Sequence, residues 1–316
     1  MLYVGIDLGG TGIKAGLVNE EGTIVARAEC PTGVERGHEA VIADMAKLAL
    51  DVIAKGGATL DEVKAVGIGL PGIQDPRTGH VPFCTNLYWH DVPVVELMQK
   101  VIDKPIYIGN DATVAGLAES VAGVSKGYAT SVFITLGTGV GGGIVIGGRP
   151  WSGFHGVGSE IGHIPMDIGG EPCSCGNYGC LERYCSATAV IRMGKQMVLQ
   201  HPDSLMYDLC GGDVSKLTAK MVFDAAKELD DVAMKVFNHY VDYLCKAIYT
   251  IIAFLDPEMI VLGGGISKSG DFLLKAVRER IPRYLLFKTL PYSRVEIARL
   301  GADAGMIGAA MLGRHA

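Results

Sequence analysis

The chain has 316 residues, 49% of them hydrophobic and 20% charged, which is enough for two lobes with separate cores and too apolar for a disordered chain. Its formal net charge of −6 argues against a nucleic-acid-binding surface, which selects for basic patches. The longest apolar stretch, Leu244 to Leu255, contains Lys246 and is too short to span a bilayer, and Met1 to Asp7 already reads as a strand rather than a signal peptide. The expected location is the cytoplasm.

The opening, Tyr3-Val-Gly-Ile-Asp7-Leu-Gly-Gly-Thr11-Gly-Ile-Lys14-Ala-Gly-Leu-Val18, is an apolar run, a glycine turn and a second apolar run. A third run, Thr23 to Ala28, follows Asn19-Glu-Glu-Gly22, so the spacing predicts an antiparallel meander with no helix between its first two strands. Apolar residues then recur at helical spacing from Gly37 to Lys55. Ala65 to Leu70 reads as a buried strand closed by Pro71-Gly72. Ile106 to Gly109 reads as another, with Asn110-Asp111 opening a helix to Ala122. The second half repeats this plan: a strand Thr130 to Leu136, a glycine turn Gly137 to Gly143, and a returning strand Ile144 to Ile146. Helices are expected at Ser186–Leu199, Thr218–Glu228 and Val232–Leu255. A strand Met259–Leu262 runs into Gly263-Gly264-Gly265, with a helix from Gly270 and a small-residue helix over Ala302–Leu312. Two strand–turn–strand units suggest a duplicated α/β fold with a cleft between its lobes.

Gly137-x-Gly139-x-x-Gly142 matches the dinucleotide-binding pattern, but that pattern requires a helix directly after the turn, and here Ile144-Val-Ile is a strand. Glycine-rich hairpin tips nonetheless bind phosphate through converging backbone N–H groups. Asp7 at the end of the first strand can hold Mg²⁺ through water, and Thr11 and Lys14 can bond phosphate oxygens. Each tip alone also fits an ordinary hairpin turn. Two of them, with the third glycine loop at Gly263–Gly265, favour a nucleotide site.

His163, Cys173, Cys175 and Cys180 supply three thiolates and an imidazole, the donor set of a closed tetrahedral zinc site. Gly176 and Gly179 allow the tight return of Cys180. With four protein ligands such a zinc has no open position, so its role is to order the loop. The other five of the eight cysteines (Cys30, Cys84, Cys185, Cys210 and Cys245) read as small buried apolar residues.

Asp7-Leu-Gly-Gly-Thr11, Leu136-Gly-Thr-Gly-Val-Gly-Gly-Gly143, Glu160-Ile-Gly-His163 and Cys173-Ser-Cys175-Gly-Asn-Tyr-Gly-Cys180-Leu-Glu182 together resemble the ROK family of sugar kinases and repressors. That family lies within the actin–hexokinase–heat-shock ATPase superfamily, and the resemblance covers essentially the whole chain. It implies a duplicated, two-lobed actin-like (ribonuclease H-like) α/β fold with a central cleft and a structural zinc loop. The expected lobes are 1–118 with 301–316, and 119–300. It implies ATP-dependent phosphorylation of a hexose, with glucose first and allose, fructose or N-acetylmannosamine as alternatives, and it leaves ATP and polyphosphate both open as donor.

Asn110-Asp111 read alone is a helix cap; the resemblance makes Asp111 the catalytic base. It places Gly72, Asn86, Asn110, Asp111, Glu160, His163 and Glu182 around the sugar, although Glu160 and Glu182 alone read as surface carboxylates. Tyr88 and Trp89 fit either a sugar face or the core. ATP and Mg²⁺ are expected along Asp7, Gly9, Gly10, Thr11, Lys14, Gly137, Thr138, Gly139, Gly264 and Gly265. A homodimer or homotetramer is also implied. The family's repressors carry an N-terminal helix-turn-helix, for which no segment is expected here, and a non-catalytic sugar sensor is the remaining alternative of a different class.

Overall fold

The computed structural model describes residues 1–314 and is a mixed α/β protein. In chain order the first half contains β1 (Leu2–Leu8), β2 (Gly12–Asn19), β3 (Ile24–Pro31), α1 (His38–Lys55) and β4 (Val63–Leu70). Next come β5 (Ile73–Asp75), β6 (His80–Cys84), β7 (Trp89–Val92), α2 (Val94–Gln99), β8 (Ile106–Asn110) and α3 (Asp111–Ala122). The second half contains β9 (Thr130–Leu136), β10 (Val140–Ile146), β11 (Arg149–Trp151), α4 (Glu182–Cys185), α5 (Ala187–Gln200), α6 (Leu205–Leu209), α7 (Ala219–Lys227) and α8 (Asp231–Leu255). It closes with β12 (Met259–Gly263), α9 (Gly264–Ser267), α10 (Asp271–Arg280), β13 (Arg294–Ile297) and α11 (Ala304–Leu312).

Two five-stranded sheets share one strand plan, β3-β2-β1-β4-β8 and β11-β10-β9-β12-β13, as the duplicated reading of the sequence requires. In the first, β1–β2 and β2–β3 pair antiparallel, whereas β1–β4 and β4–β8 pair parallel. The described residues fall into two compact units: Met1–Phe133 with Gly143–Ser159 and Arg299 onward, and Ile134–Gly142 with Glu160–Ala298. All of α3, the start of β9 and the β10–β11 hairpin group with the first unit.

The first unit is held by an unusual seat for α11. This helix is entirely apolar and rich in alanine and glycine, and it packs on β1, β4 and α3 at backbone distance. A Cβ on Gly5 would overlap the Met306 carbonyl oxygen, one on Gly67 the Ala309 carbonyl oxygen, and one on Gly308 the Val114 carbonyl oxygen. Glycine is required at all three because no side chain fits between the layers. Glu119, wholly buried in α3, accepts hydrogen bonds from the N–H groups of Val124, Arg299 and Leu300, which ties the end of α3 to the approach to α11. On the other face of this sheet α1 buries Val41, Met45, Leu48 and Val52 against β2 and β3.

The structure settles points the sequence leaves open and differs from it at others. The returning strand β10 starts at Val140, inside the glycine run, and at Gly143 it passes so close to the Ala112 carbonyl that only a bare backbone fits. Residues 73–92 form an antiparallel sheet of β5, β6 and β7, and β13 adds an unforeseen parallel edge. Trp89 is a core residue, 2% exposed, whereas Tyr88 beside it is 79% exposed on a left-handed backbone. Of the five scattered cysteines four are buried, and Cys30, on the alternating edge strand β3, is only half-buried. Among the described residues no helix is long and apolar enough to cross a membrane.

The α11 seat makes a direct prediction. Gly67→Ala should lower the unfolding free energy by about 3 kcal/mol, because the new methyl overlaps backbone that cannot rotate away. Chemical denaturation measures it, and a loss below about 0.5 kcal/mol would show that the helix seat yields freely.

Candidate active site

In the first unit, three parallel neighbours bring their carboxyl ends into one row. Asp7 of β1 pairs with Gly69 of β4, Gly69 with Gly109 of β8, and Leu70 with Asn110. Such a row is where open α/β sheets place ligands. Asn110 caps α3: its side-chain oxygen accepts from the N–H groups of Ala112 at 2.9 Å and Thr113 at 3.3 Å. The cap reading of Asn110 therefore holds, and it leaves the amide nitrogen of that side chain available. Asp111, the first helical residue, accepts from Ala112 N–H at 2.7 Å.

Part of the Asp111 surface is open to solvent, yet the protein around it is dense enough that burial raises its carboxyl above the ordinary range, against the pull of the helix amides. Burial also raises Asp7; Lys14, directly opposite it across the β1–β2 ladder, pulls it back down, and the charge of Asp111 pushes it up. Asp7, Lys14 and Asp111 thus share one electrostatic environment. A carboxylate at a strand–helix junction, beside a second acid, can accept a proton from a bound hydroxyl and help hold a divalent cation.

The turn between β1 and β2 is tight: Gly9 N–H donates to the Gly12 carbonyl at 2.9 Å. Thr32, fully buried, braces it, its hydroxyl donating to the Gly9 carbonyl at 2.7 Å and its N–H to the Thr11 carbonyl at 3.2 Å. Thr32 is absent from the sequence reading because it lies one residue beyond β3 and belongs to no motif. Asn86 lies against this turn, its carbonyl 3.6 Å from where a Gly10 Cβ would stand. Gly72, at φ 90°, presses on the backbone of Phe83 and Cys84, where a side chain would collide. Gly72, Asn86, Gly10, Asp7, Asn110 and Asp111 accordingly gather in one region of this unit.

The second unit repeats the device. Gly137 N–H donates to the Gly139 carbonyl at 3.0 Å, and the tip is braced by α5: Ala187 N–H donates to the Gly137 carbonyl and Thr188 hydroxyl to the Thr138 carbonyl, both at 2.8 Å. Glu182, at the start of α4, accepts from Val140 N–H at 3.0 Å through Oε2. Gly264, at φ 84°, lies flat on the Leu136 backbone, so the glycine loop after β12 meets the tip after β9. Beside them opens a hollow of about 500 Å³ lined by Gly137, Thr138, Phe223, Lys227, Gly265 and Lys268 among others. Its α7 wall was not foreseen; the signal available was the Thr218 cap, which marks a helix N-terminus without indicating what it faces.

Also in this unit, the donor atoms of His163, Cys173, Cys175 and Cys180 lie within 4.8 Å of one another. Cys173 Sγ is 3.7 Å from His163 Nδ1 and Cys175 Sγ 3.6 Å from Cys180 Sγ. A tetrahedral ion with bonds of about 2.3 Å to sulfur and about 2.0 Å to nitrogen sets edges of roughly 3.5–3.8 Å, so the four groups fit a zinc ion. Without one they are in conflict: burial and the neighbouring sulfurs push the Cys180 thiol up to about 12, while the Asn177 N–H draws Cys175 down to about 7. Because Nδ1 faces the cluster, the other ring nitrogen of His163 remains for a ligand. Glu160 precedes the single turn of 3-10 helix that carries His163, and Leu181 joins Cys180 to Glu182. The loop therefore links the metal ligands covalently to both carboxylates.

The sequence profile of the ROK family matches residues 3–316. Among curated proteins the chain is similar to a glucokinase of Halalkalibacterium halodurans, 39% identical over 98% of this chain and 94% of that one. It is likewise similar to a glucokinase of Thermotoga maritima, 37% identical over 98% and 96%. Among solved structures it resembles a ROK family glucokinase from Streptomyces griseus in complex with glucose and AMPPNP, with a TM-score of 0.82 and 33% identity covering 100% of both chains. With a profile that spans nearly every residue and relatives of this identity over their whole lengths, the chain belongs to the ROK family.

Proposed function

We propose that the protein transfers the γ-phosphoryl group of ATP to glucose, forming glucose 6-phosphate. The observation that carries this reading is Asp111, a carboxyl raised by burial at the helix start next to Asp7 and the first glycine turn. Kinship with proteins named glucokinase, one of them solved with glucose and AMPPNP, supports glucose over allose, fructose or N-acetylmannosamine. The hollow beside Thr138 and Gly265 favours ATP over polyphosphate, because a donor without a nucleoside has no use for it. An ATP-consuming enzyme of this kind works in the cytoplasm.

In the reaction, Asp111 takes the proton of the attacking hydroxyl as its oxygen bonds to the γ-phosphorus and the bond to the leaving ADP oxygen breaks. Gly72, Asn86, Asn110, Glu160, His163 and Glu182 are the groups suited to hold sugar hydroxyls. Gly9, Gly10, Thr11 and Lys14, with Gly137, Thr138, Gly139, Gly264 and Gly265, cradle the nucleotide phosphates. Asp7 would hold, through water, a magnesium ion carried by the nucleotide, whose charge would offset that developing on the phosphates. Zinc on His163, Cys173, Cys175 and Cys180 would order the loop that carries the sugar carboxylates.

Coupled ADP release across a panel of hexoses tests the reading. Glucose should give the highest kcat/KM, and Asp111→Asn should lower kcat roughly 10²- to 10⁴-fold with KM for glucose little changed. Full activity in that variant would remove Asp111 from the chemistry. Because the base must be ionised, kcat/KM should fall as pH falls through an apparent pKa above the usual aspartate value of about 3.9.

The same shift has a stability consequence of opposite sign to a salt bridge. A folded-state carboxyl that binds its proton more tightly than the unfolded one makes stability fall as pH rises between the two pKa values. Asp111→Asn should therefore melt higher than the wild type at pH 7, a gain that vanishes below about pH 4. Equal melting temperatures at pH 7 would show that Asp111 carries no burial cost. For the metal, elemental analysis of the purified protein should find about one zinc per chain, and Cys180→Ser should lose it and melt lower. A zinc-free wild type with unchanged melting after chelation would contradict the assignment.

A further inference from the structure

Glu182 holds an asymmetric position. Oε2 accepts from Val140 N–H at the exit of the second glycine turn, at 3.0 Å, while Oε1 has no hydrogen-bond partner among the described residues. The contact is built into the turn: a Cβ on Gly139 would overlap Oε2, so glycine at this position leaves the carboxylate its place. Two further bonds, from Ala187 N–H and the Thr188 hydroxyl to the Gly137 and Thr138 carbonyls, come from the segment that begins with Glu182. The tip and residues 182–188 are therefore one hydrogen-bonded body, in which the Glu182 carboxylate combines a bond to the tip with a second oxygen left for a ligand.

We propose that Glu182 is a positioning residue that couples the two substrates: a sugar hydroxyl on Oε1 fixes the carboxylate, and Oε2 then fixes the Val140 amide and the glycine tip for phosphate. This deepens the kinase reading and rests on it. A glycine-rich tip has many backbone conformations, of which one converges its N–H groups on an anion, and ordering it in advance removes part of the cost of nucleotide binding. Linkage makes the effect reciprocal, so each substrate tightens the other by the same factor.

Isothermal titration of the full-length protein with AMPPNP, with and without saturating glucose, reads the coupling directly. The wild type should bind AMPPNP roughly fivefold or more tightly with glucose present, and glucose should gain the same factor from AMPPNP. Glu182→Gln, whose amide oxygen still accepts from Val140, should keep most of that factor, and Glu182→Ala should bring it to within twofold of unity. Hydrogen exchange of the 137–142 backbone in the ligand-free protein gives a second readout that needs no sugar binding: faster in Glu182→Ala, unchanged in Glu182→Gln. Coupling and exchange retained in Glu182→Ala, or lost equally in Glu182→Gln, would overturn the proposal without touching the kinase reading on which it rests. A wild type that binds glucose but shows no phosphoryl transfer would instead bring down the kinase reading itself.

Discussion

The closeness of α11 to the first sheet is the constraint on which the rest of that unit depends. Gly5 and Gly67 on β1 and β4, and Gly308 on the helix, let backbone meet backbone, so the helix lies lower than side chains would permit. At its near end Gly305 stands under the Asp7 carboxylate, where a Cβ would collide with it. The same helix packs on α3, whose first residue is Asp111. The two acids are thus set by a single close-packed layer, and the field between them follows from it. Glu119 secures the layer from its other end by taking three buried amides that would otherwise lack partners.

Each unit also carries a glycine tip whose shape is set from outside. The first is braced by the buried Thr32 and the second by Ala187, Thr188 and Glu182. Free glycine turns would wander, and a phosphate would have to order them at its own expense. A threonine hydroxyl on a tip carbonyl in each case, Thr32 to Gly9 and Thr188 to Thr138, holds the turn without occupying any of its N–H groups. The two halves arrived at similar braces from unrelated segments, which is what duplication of a plan with divergence of sequence produces.

Much of this is legible in the sequence. The meander, α1, α3 and α8 follow from apolar spacing and caps, and the metal cluster from donor types within a short span, because ligand chemistry leaves few substitutes. What could not be read has physical causes. The β5–β7 sheet is made of strands of three to five residues, one holding Pro82, too short for period-two alternation to stand out. The start of β10 was read as turn because Gly141, Gly142 and Gly143 look like loop, although close approach to α3 rather than turning demands at least Gly143. Thr32 and Thr188 act through backbone carbonyls brought near by tertiary folding, which no local spacing reports. Asp111 is the instructive case: its cap-like position was plain, but its raised carboxyl depends on neighbours from several elements.

The proposed reaction has one outcome, a phosphoryl group delivered to sugar rather than to water. Phosphorus NMR of the protein with ATP, magnesium and glucose tests that most directly, because it identifies the acceptor. The account predicts a glucose 6-phosphate resonance growing in step with ADP, with little inorganic phosphate. Inorganic phosphate as the main product, or ATP left intact beside bound glucose, would contradict it.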